Sequence, residues 1–412
     1  MVKHSFFALV FLAACNVSPA PQSTGGISVG DAGTPDAGSS CERAVAVVTS
    51  DYKSTNIVVS SLDGVTQSQS FVSSGAAKPG LALALSGDVD VPATAPGSKR
   101  VVILDRYGTN VITWMDLGTA RVLAQLPVGT GFQSNPHDYL DVDARRAYVS
   151  RYGTNPSPGA LPLDQGGDLL ILDTEKYAIT GRIPMPEDDP GLQACPDAMT
   201  WLRGQVVVSL GRWAADFSRT GDGRFAAISP ATNRVVWTLD ILGLQACGRL
   251  AVSPSGDFAA VACSSKLDMS TQKFDPKGSD IVLYDTTVLP PKEIRRFDLG
   301  KRLDVGLQPS LTFASEDRIL ALSYGGNGKV GDAAFALNTT NGEVTPLAEA
   351  PKAYVLGGMH CAPGCGDVCL LGDAQRNRLR RWHVSAEGRF EPLDDAVLDT
   401  LIGLPPRSIG GL

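Results

Sequence analysis

Histidine is scarce in this chain of 412 residues, and one of its four copies, His4, stands just before the N-terminal apolar run. The others, His137, His360 and His383, have no His-Glu-x-x-His or other paired-ligand spacing, so the zinc hydrolases legible from sequence are excluded. A Gly-x-Ser-x-Gly nucleophile elbow is missing, and so is an Asp-x-Asp-x-Asp-Gly calcium loop. The acidic groups Asp141 with Asp143, and Glu187 with Asp188 and Asp189, therefore read as solvated turns. Basic residues are outnumbered, 36 Lys and Arg against 43 Asp and Glu, which makes nucleic acid and anionic lipid surfaces poor partners. No long amphipathic helix is legible, and no cofactor or metal is expected.

What is present begins at the N-terminus. Lys3 and His4 precede an apolar run from Phe6 to Ala14, too short to span a bilayer as a mature helix and suited to a signal peptide over residues 1–14. The run ends in Leu12-Ala13-Ala14-Cys15, which resembles a bacterial lipobox and makes Cys15 the expected lipidated first residue. That resemblance implies a lipoprotein, and Asn16 after the cysteine implies sorting to the outer membrane of a Gram-negative cell envelope. Loss of Lys3 leaves 35 basic against 43 acidic side chains. From Asn16 to Ser40 the chain is nearly all Gly, Ser, Ala, Pro, Thr, Asp, Asn and Gln. Such a stretch buries too little to offset chain entropy, so residues 15–40 read as the lipidated cysteine and a disordered tether. Flexible-linker scaling gives it a reach of about 25 to 30 Å.

Residues 41–412 carry short Val, Ile and Leu runs punctuated by glycine and proline. Arg106-Tyr107-Gly108-Thr109-Asn110 recurs unchanged as Arg151-Tyr152-Gly153-Thr154-Asn155, each copy after an apolar strand. Six successive units of four strands follow from about Leu81, the first opening on LALALSG and the second on NPHDYLDVD. The N-terminal piece holds only three strands, and Pro405–Leu412 resembles the segment that opens the last unit. The expected fold is therefore all-β: a seven-bladed β-propeller of four-stranded antiparallel blades, its first blade closed by the C-terminal strand so that no edge stays open.

Seven cysteines remain after Cys15. Equal distances from a turn predict Cys247 opposite Cys263 across Pro254-Ser255-Gly256, and Cys361 opposite Cys369, with at least one thiol left over. The Cys361, Cys365, Cys369 spacing does not match a zinc knuckle.

Gln125-Leu126-Pro127-Val128-Gly129, Pro136-His137, Ala147-Tyr148-Val149-Ser150-Arg151 and Leu169-Leu170-Ile171-Leu172-Asp173-Thr174 resemble the bacterial YVTN-repeat propellers, the YncE-like group. The resemblance covers residues 100–186, departs at Ser150-Arg151, and implies seven blades without a uniform activity. Long loops between second and third strands, at 152–167, 212–223, 264–279 and 324–331, extend one rim and offer Arg151, Tyr152, Arg212, Trp213 and Lys266 as a candidate binding face. The expected role is a monomeric, membrane-tethered, non-enzymatic module for a protein or glycan partner. The alternative is an enzyme, lactonase-like or quinoprotein-like, with carboxylates or histidines converging on the central channel. His137, at the start of an inner strand, is a candidate channel residue. A single Trp-ending segment, Ser229 to Trp237, resembles the quinoprotein repeat.

Overall fold

The computed structural model describes residues 41, 44–93, 99–187, 189–265, 267–268, 273–275, 278–324 and 331–412. The signal segment, Cys15 and the tether lie outside them, as does Lys266. Seven four-stranded antiparallel sheets stand in a ring, and the one α-helix among the described residues, Leu299–Leu303, lies between the fifth and sixth. From the axis outward, the third blade runs Pro136–Asp141, Arg146–Thr154, Gly166–Asp173 and Ala178–Pro184. The fourth runs Pro196–Leu202, Gln205–Leu210, Gly223–Ser229 and Arg234–Ile241.

Position in the blade explains the composition of each strand. A middle strand has a neighbouring sheet on both faces, so Ala44–Ser50 is buried at every residue. An outermost strand has one wet face, and Arg234–Ile241 alternates between exposed and half-buried positions until the buried Ile241 at its end. Seven apolar clusters result, one at each junction between neighbouring blades.

The cluster that distinguishes a circle from a row joins Val45, Val47, Val58 and Leu62 of the first blade to Leu370, Leu379 and Leu398 of the last. Pro406–Gly411 supplies the missing innermost strand, pairing Val47 with Ile409 and Val45 with Gly411. Gly358 permits that seam. At φ +66°, a Cβ there would lie 2.8 Å from the Cα of Ser408.

The structure corrects one strand. Leu81–Ser86 is not the inner strand of the second blade; the pair Val89–Asp90 is. Ser86 is instead tied to the carboxylate of Asp105 by its backbone N–H and its hydroxyl, at 2.7 and 2.6 Å, so the alternating Leu-Ala segment serves as a connection.

Cys247–Cys263 and Cys361–Cys369 are bridged within hairpins, and Cys195 is buried and unbridged. A third bridge, Cys41–Cys365, joins residues 324 apart in sequence. Cys41 precedes the second strand of the first blade, and Cys365 lies between first and second strands of the seventh. Both therefore sit on the face opposite the long loops.

Candidate binding site at the channel mouth

Towards the loop-rich end, each second strand donates an N–H to the carbonyl of a residue that precedes an innermost strand. The donors are the N–H groups of Ser50, Arg106, Tyr152, Gly211, Ser264, Tyr324 and Ala374, and the acceptors the carbonyls of Pro405, Asp88, Asn135, Cys195, Ala246, Gly306 and Val355. Two residues beyond each acceptor stand Arg407, Asp90, His137, Asp197, Gly248, Gln308 and Gly357, with Arg249 adding a side chain in the fifth blade. Those with side chains are half-buried on innermost strands, which places them on the channel wall at its loop-rich end.

This register explains why the repeated pentapeptide does two different things. Arg106 and Tyr152 are the equivalent ladder donors, so the second copy sits one residue out of step with the first. A one-residue slip reverses the sides that residues face. Arg106 accordingly reaches the mouth, 2.5 Å from Asp88 and 3.5 Å from Asp90. Arg151 points inward instead, is fully buried, and donates to both oxygens of Asp168 at 2.7 and 2.8 Å. It also donates to the Thr130 hydroxyl and the Leu163 carbonyl.

Arg151 is thus corrected from a face residue to an anchor beneath the loop. Arg212 is corrected likewise: it is 8% exposed, donates to the Asp222 carbonyl at 2.9 Å and lies 3.4 Å from Asp189. Trp213 is half-buried, its backbone bridged to Gln193 and Thr220. Tyr152 is half-buried beside His137.

One arc of the mouth is rich in acceptors. His137 Nδ1 lies 2.8 Å from an Asp197 oxygen, and the imidazole stacks on Tyr152 with centroids 4.3 Å apart. Burial opposes ionisation of Asp197, yet the hydrogen bond and charge of His137, aided by Arg249 and Arg106, hold its carboxyl below the ordinary value. Protein surrounds this side chain, but 37% of it still meets water, as the wall of a narrow channel requires. Asp138 is buried one residue beyond His137, and burial pushes its carboxyl up despite Arg249 at 2.9 Å. Burial also raises the Tyr152 phenol, and lifts the Cys195 thiol to about 11.

The other arc is rich in donors and aromatic rings. Arg407 donates from Nε to the Ser50 carbonyl at 3.0 Å and from Nη1 to the Tyr354 carbonyl at 3.2 Å. Its guanidinium lies 5.1 Å from the Tyr52 ring centroid, and Tyr324 and Tyr354 are 5.5 Å apart. Tyr52 and Tyr354 hold left-handed backbone, φ 65° and 61°, a conformation rare for bulky residues and common where a fold positions a side chain. The Tyr52 turn is pinned by its own N–H donating to Ser50 Oγ, and Gly87 leaves room for it: a Cβ there would sit 2.3 Å from Tyr52. Burial, then Tyr354 and Asp332, pushes Tyr324 up to about 12. Tyr107, on the upper loop of the second blade, adds a ring 67% exposed.

Asp90, Asp197, Arg249, Gln308 and Arg407 went unnoticed in the sequence. One signal was available: three of the wall residues follow a proline that opens an inner strand, in Pro136-His137, Pro196-Asp197 and Pro406-Arg407. Among the described residues no three His, Cys, Asp or Glu side chains are grouped to hold a metal ion. What the arrangement does chemically is accept hydrogen bonds on one side and donate them on the other.

No protein-family model matches the chain, and no curated protein matches it. Solved structures do. A putative 6-phosphogluconolactonase from Bacteroides uniformis superposes with a TM-score of 0.56 at 14% identity, over 90% of this chain and 99% of that one. The periplasmic gluconolactonase of Pseudomonas aeruginosa gives 0.53 at 13%, over 90% and 99%. A hypothetical selenium-binding protein from Sulfolobus tokodaii gives 0.57 at 10%, over 90% and 94%. At these identities the likeness is one of fold, and the fold is a seven-bladed propeller.

Proposed function

We propose that this chain is an exported lipoprotein propeller, akin to the YVTN-repeat group, that binds a polyhydroxylated, glycan-like partner at the mouth of its channel without chemical turnover. The observation that carries the reading is the ring of polar wall residues delivered by successive inner strands and bordered by aromatic rings. Carboxylates such as Asp90 and Asp197 accept hydrogen bonds from hydroxyls, Gln308 does both, and flat rings cover the apolar faces of sugars. Cys41 is held by its bridge to Cys365 on the face away from the long loops, and in this reading the tether starts from that face. A lipid on Cys15 then presents the mouth away from the outer membrane to which it is anchored.

The test is calorimetric titration of the detergent-solubilised full-length protein with a panel of neutral oligosaccharides. Saturable binding that Asp197→Asn weakens by about ten-fold, the worth of one charge-assisted hydrogen bond, is the expected result. Binding to none of the panel, or binding indifferent to Asp197→Asn, contradicts the reading.

A second reading has one observation in its favour. His137 paired to Asp197 at 2.8 Å, open to the channel, is an arrangement suited to activating a water, and two of the fold's relatives are named as lactonases. Hydrolysis of glucono-δ-lactone above the spontaneous rate, abolished by His137→Gln, would establish it over the binding role.

A further inference from the structure

The two arcs of the mouth differ in charge, and the difference specifies the ligand further. Arg106 and Arg249 both have carboxylate partners. Arg407 has hydrogen-bond partners as well, but they are backbone carbonyls, and no carboxylate within ion-pair distance of it is found among the described residues. Its Nε and one hydrogen of Nη1 are taken up by those carbonyls, and the Tyr52 ring covers a face. Nη2 has no hydrogen-bond partner among the described residues, and together with the second hydrogen of Nη1 it can hold two oxygens of one planar anion.

From this geometry we infer that Arg407, braced by Tyr52 and Tyr354, is a subsite for a carboxylate carried by the sugar, so that the ligand is a uronic acid or a glycan containing one. This rests on the reading of the mouth as a glycan site. A single fixed guanidinium neutralises a monoanion. Lys53 and Lys352, on loops of the first and sixth blades, are exposed, and among the described residues no buried, ion-pair-free cation beside Arg407 supplies the second charge that a phosphate dianion requires. Across the ring, Asp197 on the innermost strand of the fourth blade repels an anion there and takes hydroxyls, which sets the direction in which the sugar lies across the mouth.

The experiment is calorimetric titration of the full-length protein in detergent with oligogalacturonate, with the same oligosaccharide as its methyl ester, and with a sugar phosphate. The acid is expected to bind about ten-fold more tightly than the ester, as a charge-assisted bidentate contact provides. Arg407→Gln should abolish that preference, and Asp197→Asn should weaken acid and ester alike. Because Arg407 stands on the strand that closes the ring, Tyr52→Leu, which removes only the stacked ring, is the second variant, expected to reduce the preference by a few-fold. Equal binding of acid and ester by the unmodified protein overturns the carboxylate subsite while the glycan reading stands. Preferential binding of the sugar phosphate overturns the monoanion argument. An acid preference that survives Arg407→Gln moves the subsite elsewhere and also refutes this assignment. Failure of all three ligands, with the neutral panel silent too, removes both.

Discussion

Replacing Cys41 and Cys365 together by serine removes the covalent clasp across the seam between the seventh and first blades. The bridge closes a loop of 324 residues, against 16 for Cys247–Cys263 and 8 for Cys361–Cys369. In the chain-entropy model the restriction of the unfolded state grows with the logarithm of loop length, to about 6 kcal/mol for the clasp and about 3 kcal/mol for each hairpin bridge. Unfolding entropy scales with size, so for a folded part of about 370 residues 6 kcal/mol corresponds to a Tm lower by about 7 °C. The same scaling puts each hairpin pair at half that or less. The assay is scanning calorimetry of the parent and of three double Cys→Ser variants at one scan rate. The order of the losses is the sharper test, because the clasp must exceed either hairpin bridge. A clasp variant that melts within about 1 °C of the parent, or that loses less than the hairpin variants, refutes the argument that the ends are held through the unfolded chain's entropy.

Deleting residues 404–412 uncovers the inner edge of Ala44–Ser50 and should abolish cooperative melting, whereas an unchanged melting curve would mean the ring does not depend on that strand. Arg151→Met leaves Asp168 buried with only the partly exposed Arg182 at 2.6 Å; urea titration should show a loss of about 3 kcal/mol or more with glycan affinity unchanged. Asp280 is buried with one oxygen lacking a hydrogen-bond partner, and burial, reinforced by Asp298, raises its carboxyl from 3.8 to about 6. The native state then holds a proton that the unfolded chain has released, so this residue makes stability fall as pH rises from about 4 to 6, with the deficit complete above that window. Asp280→Asn should raise stability at pH 7.5 by no more than about 3 kcal/mol and leave it unchanged near pH 3.5, as chemical denaturation at the two pH values would show. Cys15→Ser should move the protein from the membrane to the soluble fraction; continued membrane association would dispose of the lipid anchor.

The blades themselves were legible because their determinants are local. Strand, turn and strand recur in runs such as Gly166–Asp173, and the pattern of burial follows from whether a strand has a sheet on one side or both. Even the joining of the two ends could be read, since three strands at one end and one at the other leave a single way to complete a sheet. The disulfide pairs set within hairpins followed for the same reason: a turn brings equidistant residues together. Cys41–Cys365 did not, because nothing between those positions measures the distance across a closed ring.

The site was decided by closure. Asp90, His137, Asp197, Gln308 and Arg407 are spread over more than 300 residues of sequence and become neighbours only when seven inner strands share an axis. Arg106 and Arg151 make the point most directly, for they stand in identical pentapeptides. What separates them is a shift of one residue in the pairing with the inner strand, which sends one guanidinium to the mouth and the other into the core. Sequence determined which residues form strands and in what order; the register between strands, a property of the assembled sheet, determined which side chains a ligand can reach.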